Sequence, residues 1–203
     1  MNSGRKMAGQ DGTRIEPAGE GDLARISKLA GVIWRACYPG IITLEQINYM
    51  LDWMYSLDTL RKELRSGICY DLLLVGGELS GFSSYGPTEQ ARVFKLHKLY
   101  LLPKLHGRGL GSLLLNHCER EVRKHGGRRL MLNVNKHNVK AIKSYRRNRF
   151  VITESVVADI GNGFVMDDYV MAKDLGLSPF DPTVPSAPKL DSLAREQDSQ
   201  ESG

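Results

Sequence analysis

Cysteine is scarce in this chain: three among 203 residues, Cys37, Cys69 and Cys118. An odd, scattered set with no CxxC pair excludes a disulfide framework and a thiolate zinc site. Reduced thiols in a cytoplasmic protein are the expectation. No apolar run approaches the ~18 residues that a membrane span needs, and the polar, Gly-rich stretch before Thr13 has no signal-peptide character. Membrane partners are therefore not expected. His106, His117, His125 and His137 show no metal-ligand spacing, so no structural metal is expected either. Acidic residues nearly vanish from one region. Residues 92–149 hold 16 of the chain's 28 Lys and Arg against two acids, Glu119 and Glu121. Helix-turn-helix, RRM and zinc patterns are missing from that basic block, which disfavours nucleic acid and leaves a small polyanionic ligand as the alternative to a merely solvated face.

What is present is a strand-turn-helix with glycines at the turn. Val93 to Leu101 reads as a strand stopped by Pro103, and Ser112 to Lys124 lies in an amphipathic helix spanning about 108–125. Between them runs His106-Gly107-Arg108-Gly109-Leu110-Gly111. Glycines there let backbone approach a ligand closely, and a helix start presents N–H groups to negative charge. The spacing is not GxGxxG, and no Gly-Lys-Ser/Thr follows, so the dinucleotide and Walker A readings both fail.

Along the chain, Ile15 to Pro17 reads as a short strand. Asp22 is placed to cap a helix reaching Cys37, and Thr43 to cap the next, with Gln46 completing a capping box. A third helix covers 56–64. Tyr70 to Val75 and Glu78 to Tyr85 form a hairpin about Gly76-Gly77, and Arg129 to Val134 is a later strand. Asn138 caps a helix to about Arg147, and 150–157 and 164–171 close the domain as a hairpin. The order βααα-βββ-α-β-α-ββ predicts an α+β domain on one mixed sheet rather than an alternating dinucleotide fold. The domain is expected over 14–175, with a disordered tail at 1–13 and a disordered acidic tail at 176–203 rich in Pro, Ser and Asp. There are no internal repeats.

The glycine run acquires meaning from Asn138-Val139-Lys140-Ala141-Ile142-Lys143-Ser144-Tyr145, followed by Phe150: N-x-x-A-x-x-x-Y before a strand. Asn138 and Tyr145, two helical turns apart, share a face. With both motifs in place, residues 13–175 resemble the GNAT superfamily, the Gcn5-related N-acetyltransferases. That resemblance implies a mostly antiparallel central sheet with helices on both faces, acetyl-CoA as acetyl donor, and a primary amine as acceptor. It implies pyrophosphate contacts at His106, Gly107, Arg108, Gly109, Leu110, Gly111 and Ser112. It also implies pantetheine pairing along Leu99, Tyr100 and Leu101, a cofactor hydrogen bond from Asn138, and Tyr145 as the acid that protonates the departing thiolate. The backbone N–H of Leu99 would serve the thioester oxygen. The three leading helices and the segment 161–173 resemble the polyamine acetyltransferase branch.

Two positions depart from the family pattern. His106 replaces the usual Gln or Arg, and Arg149 replaces the glycine before Phe150, where positive φ is normal and Arg adopts it less easily. The strand before the loop also lacks the carboxylate many members use as base. It offers Lys95 and His97. His97, an even number of residues from Leu99 and Leu101, is expected on their face with an ordinary pKa of ~6.5 suited to base work, a water chain being the alternative. Asp167 and Asp168 are candidates for attracting a cationic amine, and Trp34, Tyr38, Trp53 and Tyr55 for the acceptor wall. The excess of bases over acids outside the acidic tail is awkward for a polycationic acceptor. Small amines and polyamines, protein N-termini, and a CoA-sensing module without turnover all stay open, as does a homodimer.

Overall fold

The computed structural model of the protein describes residues 12–176, and the expected terminal tails lie outside the described residues except at their inner ends. Seven strands build one sheet: Thr13–Pro17 (β1), Cys69–Val75 (β2), Glu78–Pro87 (β3), Val93–Leu101 (β4), Arg129–Asn135 (β5), Val151–Gly161 (β6) and Phe164–Asp174 (β7). Their order is β1-β2-β3-β4-β5-β7-β6. Every neighbouring pair is antiparallel except β4 with β5.

Five α-helices clad the two faces: Leu23–Cys37 (α1), Leu44–Tyr55 (α2), Leu57–Arg65 (α3), Leu110–Lys124 (α4) and Val139–Arg147 (α5). The apolar periodicity of α1 (Leu23, Ile26, Ala30, Ile33) buries it with α2 and α3 against Tyr70, Leu72 and Phe82. On the other face Leu115, Cys118 and Val122 of α4 and Ile142 of α5 pack on Leu96, Leu130, Leu132, Val134 and Met171. Burying each such side chain is worth ~1.5–3 kcal/mol, so both helix layers are held by their stripes rather than by helix propensity. The expected α+β architecture with helices on both faces is what the structure shows.

Three local expectations need correction. Asp22 precedes α1 but does not cap it; its Oδ2 accepts from Gly19 N at 3.1 Å and closes a 3-10 turn at Glu20–Asp22. Thr43 caps α2 through Gln46 N at 3.2 Å, yet the Gln46 side chain does not return to complete a box. It donates to Val165 O of β7 at 2.8 Å, where a distant carbonyl satisfies it instead. The closing hairpin is longer than its apolar runs suggest, because β6 is an exposed edge strand whose ladder continues past its hydrophobic residues.

Candidate active site

The parallel pair β4/β5 is joined only from Val93↔Arg129 to Leu96↔Leu132. Beyond that point β4 continues to Leu101 paired with β3 alone, and β5 continues to Asn135 paired with β7 alone. The sheet therefore forks, and the edge of residues 97–101 that faces β5 has no strand partner. Backbone polar groups need partners when water is excluded, so this edge suits an extended ligand arm.

The glycine turn follows the fork directly. Gly107 and Gly109 both take φ of +78°, the left-handed conformation that disfavours side chains, and a Cβ at either would meet nothing within 4 Å. Gly109 is the N-cap of α4 and contributes no side-chain cap. The first N–H groups of that helix thus have no side-chain cap, as an anion cradle requires. The residues present fit a pyrophosphate. His106, the departure from the family pattern, donates from Nε2 to Leu101 O at 3.2 Å, tying the loop to the end of β4. Asn148 donates to Ser112 Oγ at 3.0 Å and to Ser144 O at 2.9 Å, fastening the start of α4 to α5. Nothing in the motif signals Asn148, since its partner lies 36 residues away.

On α5, Asn138 is an N-cap: its Oδ1 accepts from Ala141 N at 3.2 Å, leaving its amide nitrogen as the donor for a ligand. Tyr145 packs against Phe150 at a centroid distance of 5.8 Å. Burial, with a smaller contribution from Cys118, pushes its phenol well above the ordinary range, so it holds its proton at neutral pH. The turn after it keeps the geometry that the family reaches with glycine. Arg149 takes φ of +69°, with Arg149 N donating to Arg146 O and Phe150 N to Tyr145 O. A left-handed conformation costs a side-chain-bearing residue about 1–2 kcal/mol.

The face opposite α4 differs from expectation at His97. Tyr85 of β3 pairs with Leu96 and Ser84 with Lys98, so His97 is the extra residue of a bulge. A bulge breaks the two-residue alternation. Leu96, Leu99 and Leu101 all pack with α4 although Leu96 and Leu99 are three apart. The shared face expected for His97, Leu99 and Leu101 therefore does not form. The charges felt by His97 are those of Lys98, Lys95 and Glu63. Burial first, then Lys98 and Lys95, lower its pKa to about 4, not the ~6.5 expected, and its Nε2 is buried without a hydrogen-bond partner.

Lys98 points to α3, where its Nζ meets Glu63 Oε2 and Oε1 at 2.6 and 2.7 Å and lies 5.5 Å from the ring centroids of Tyr55 and Tyr70. Tyr70 also donates to Glu63. The carboxylate beside β4 is thus that of α3, and it is engaged with Lys98 and Tyr70. Tyr100 sends its ring into the aromatic wall beside Trp34 and Phe82, leaving only its backbone for the cofactor edge. The Tyr38 and Tyr100 hydroxyls lie 3.4 Å apart. Trp34 and Tyr55 are core, whereas Trp53 is exposed. Asp167 pairs with Lys136, and Asp168 is buried. A cleft of about 600 Å³ between the end of α5 and β7 is lined by Arg147, Asn148 and Arg149 together with Arg123 and Lys173, and the last two are engaged with Glu119. Among the described residues, no cluster of three or more His, Cys, Asp or Glu is placed to hold a metal.

A fork in a mixed sheet beside an uncapped glycine turn defines a class, the acetyl-CoA-dependent acetyltransferases. The chain belongs to the GNAT acetyltransferase family, whose model matches residues 32–150. It is 28% identical over 151 residues, 72% of this chain and 90% of the relative, to a spermidine N(1)-acetyltransferase of Thermoplasma acidophilum. The PaiA N-acetyltransferase of Thermoplasma acidophilum, solved in complex with coenzyme A, superposes with a TM-score of 0.66 at 25% identity, covering 80% of this chain and 98% of that one. A GCN5-related N-acetyltransferase of Rhodopseudomonas palustris gives a TM-score of 0.67 at 17% identity, covering 79% and 94%. The protein is an acyl-CoA N-acetyltransferase with acetyl-CoA as donor.

Proposed function

We propose that the domain, residues 14–175, transfers the acetyl group of acetyl-CoA directly to a primary amine, with small amines and polyamines as the favoured acceptors. The observation that carries this reading is the fork after Leu96↔Leu132, which opens an unpaired β4 edge beside the turn at Gly107–Gly109, with Tyr145 acting electrostatically on Tyr100 of that edge. The pantetheine arm lies along Leu99, Tyr100 and Leu101. The pyrophosphate rests on the backbone of His106 through Ser112, with Arg108 exposed at its rim, and Asn138 donates from its amide nitrogen. The acceptor enters from the side of α1 and α2 and attacks the thioester carbon. The amine proton passes to His97 Nε2 or to water, the N–H of Leu99 receives the developing oxyanion charge, and the Tyr145 hydroxyl gives its proton to the leaving sulfur. The polyamine choice is supported by the spermidine acetyltransferase relative. A protein N-terminus as acceptor and a CoA-sensing module without turnover are weaker readings, the latter because a proton-holding Tyr145 at the fork is catalytic equipment that a sensor does not need.

No helix among the described residues is long and apolar enough to cross a membrane, and the three cysteines are free thiols; both agree with a cytoplasmic protein. The test is a screen of acetyl-CoA turnover, read as free thiol, across polyamines, small monoamines, aminoglycosides, amino acids and peptides. Amine-dependent thiol release that is fastest with polyamines or small amines is expected. Thiol release independent of every amine overturns the reading, and release only with peptides moves the acceptor to protein N-termini.

A further inference from the structure

The acceptor side of the fork contains a buried carboxylate that the transfer chemistry leaves unused. Asp168 lies on β7 opposite Asn135 of β5. Val134 packs with α4 and α5, so Asn135 and its partner Asp168 face the other way, toward α1 and α2. Asp168 is 2% exposed, and its Oδ1 has no hydrogen-bond partner. Asn133 hydrogen-bonds the carboxyl, but among the described residues no cation comes within 4 Å of it; neighbouring Asp167 is the one that pairs with Lys136. Buried carboxylates are normally paired or fully hydrogen-bonded, because leaving one alone is costly. Lys95 acts electrostatically on both Asp168 and His97, and Asp168 acts on Tyr38, whose hydroxyl meets that of Tyr100. Two buried, orphaned polar atoms, Oδ1 of Asp168 and Nε2 of His97, thus lie within the electrostatic reach of Lys95.

We propose that Asp168 is the counter-ion for a second, non-reacting ammonium of the acceptor, so that the site selects diamines and longer polyamines over monoamines. β5 lies between β4 and β7, and the fork widens the gap between β4 and β5, so the backbones at His97 and Asp168 are more than two strand spacings of ~4.8 Å apart. That is too far for one nitrogen to serve both His97 and Asp168, so engaging both takes two nitrogens joined by an alkyl chain. The division of labour also has a chemical reason. A carboxylate touching the reacting nitrogen would hold its proton on and oppose attack, whereas one touching a remote nitrogen orients the acceptor without that penalty. A single buried negative charge further explains how a chain with a basic excess accepts a cation: the selection is local. Lys95 opposes it, and removing that charge should tighten diamine binding.

This inference rests on the transferase reading above, and the experiment separates the two. Steady-state kinetics with putrescine, spermidine and n-butylamine are compared for the wild type, Asp168→Asn and Lys95→Gln, with acetyl-CoA affinity and thermal melting measured for each. Asp168→Asn should raise KM for putrescine and spermidine by at least about 10-fold, the loss expected of one charge-assisted contact. Its n-butylamine kinetics and acetyl-CoA affinity should stay within about twofold, and Lys95→Gln should lower the diamine KM. Equal effects on n-butylamine and putrescine, or none on either, overturn the assignment while leaving the transferase reading intact. If the wild type turns over no amine at all, both fall. Should Asp168→Asn fold poorly, Lys95→Gln still decides: an unchanged or higher diamine KM refutes the proposal.

Discussion

A phenol serves a departing thiolate only while it keeps its proton, and burial ensures that for Tyr145 by pushing its pKa up. Its ring is held by Phe150, so Tyr145→Phe keeps the packing and removes the hydroxyl alone. That variant should lose roughly 10²-fold or more in kcat, the usual worth of a positioned acid, with acetyl-CoA affinity within about twofold. An unchanged kcat under conditions where single-turnover kinetics show chemistry to be limiting refutes the acid role. His97 is held neutral instead. With its pKa lowered to about 4, it is unprotonated throughout the neutral range and carries one acceptor nitrogen there. The acid limb of kcat/KM that reports this base should lie near pH 4, well below the ~6.5 of a free imidazole, and His97→Gln should abolish that limb. The same shift has a stability consequence. The unfolded chain protonates His97 below ~6.5 and the folded one only near 4, so between those values the unfolded state binds more protons and stability rises with pH. Urea unfolding at several pH values should show that slope in the wild type and a shallower one in His97→Gln.

At the scale of elements, the fork depends on β4 being anchored while its far edge stays free, and the buried Lys98–Glu63 pair anchors it to α3. The Lys98 side chain is 1% exposed and Glu63 25%. Removing one partner of such a pair leaves an uncompensated charge, so Glu63→Ala should cost about 3 kcal/mol in urea unfolding. Lys98→Met, whose side chain fits the Tyr55 and Tyr70 rings without a charge, should cost less than half as much. Equal losses would mean that the pair is worth no more than its packing. The contrast between local and distant partners also explains what the sequence made legible. The bounds of β4, the αL glycines before α4, the Asn138 cap and the positive φ at Arg149 are local matters, set by residues within one or two turns of each other. The bulge at His97, the Glu63 that serves β4 across 35 residues, the Asn148–Ser112 tie and the orphaned state of Asp168 depend on strand register and on which helices cover which face. A period-two pattern has no way to register an inserted residue, so it groups His97 with Leu99 and Leu101, and it carries no information on the burial that lowers the His97 pKa.

For the whole molecule, part of the basic block between residues 92 and 149 becomes an exposed surface beside the glycine turn and along α5. Arg108, Lys140, Lys143, Arg146 and Arg147 are exposed at the glycine turn and along α5, and α5 itself carries no acid. Exposed charges of one sign steer an oppositely charged ligand and are screened by salt, whereas the backbone N–H groups of the cradle are not. The two contributions to holding an anionic donor can therefore be separated. Raising NaCl from about 0.1 M to about 1 M shrinks the Debye length from ~10 to ~3 Å and should raise KM for acetyl-CoA several-fold while kcat holds. Arg147→Glu should weaken donor binding at low salt and converge with the wild type at high salt. A KM insensitive to salt would assign donor binding to the cradle alone and leave the basic face as solvated surface. A salt dependence that appears for duplex DNA binding and not for acetyl-CoA would instead favour a nucleic-acid role for that face. The acceptor side should behave differently: a contact made at a buried carboxylate such as Asp168 is screened far less, so the diamine preference should persist at the high-salt end of the same titration.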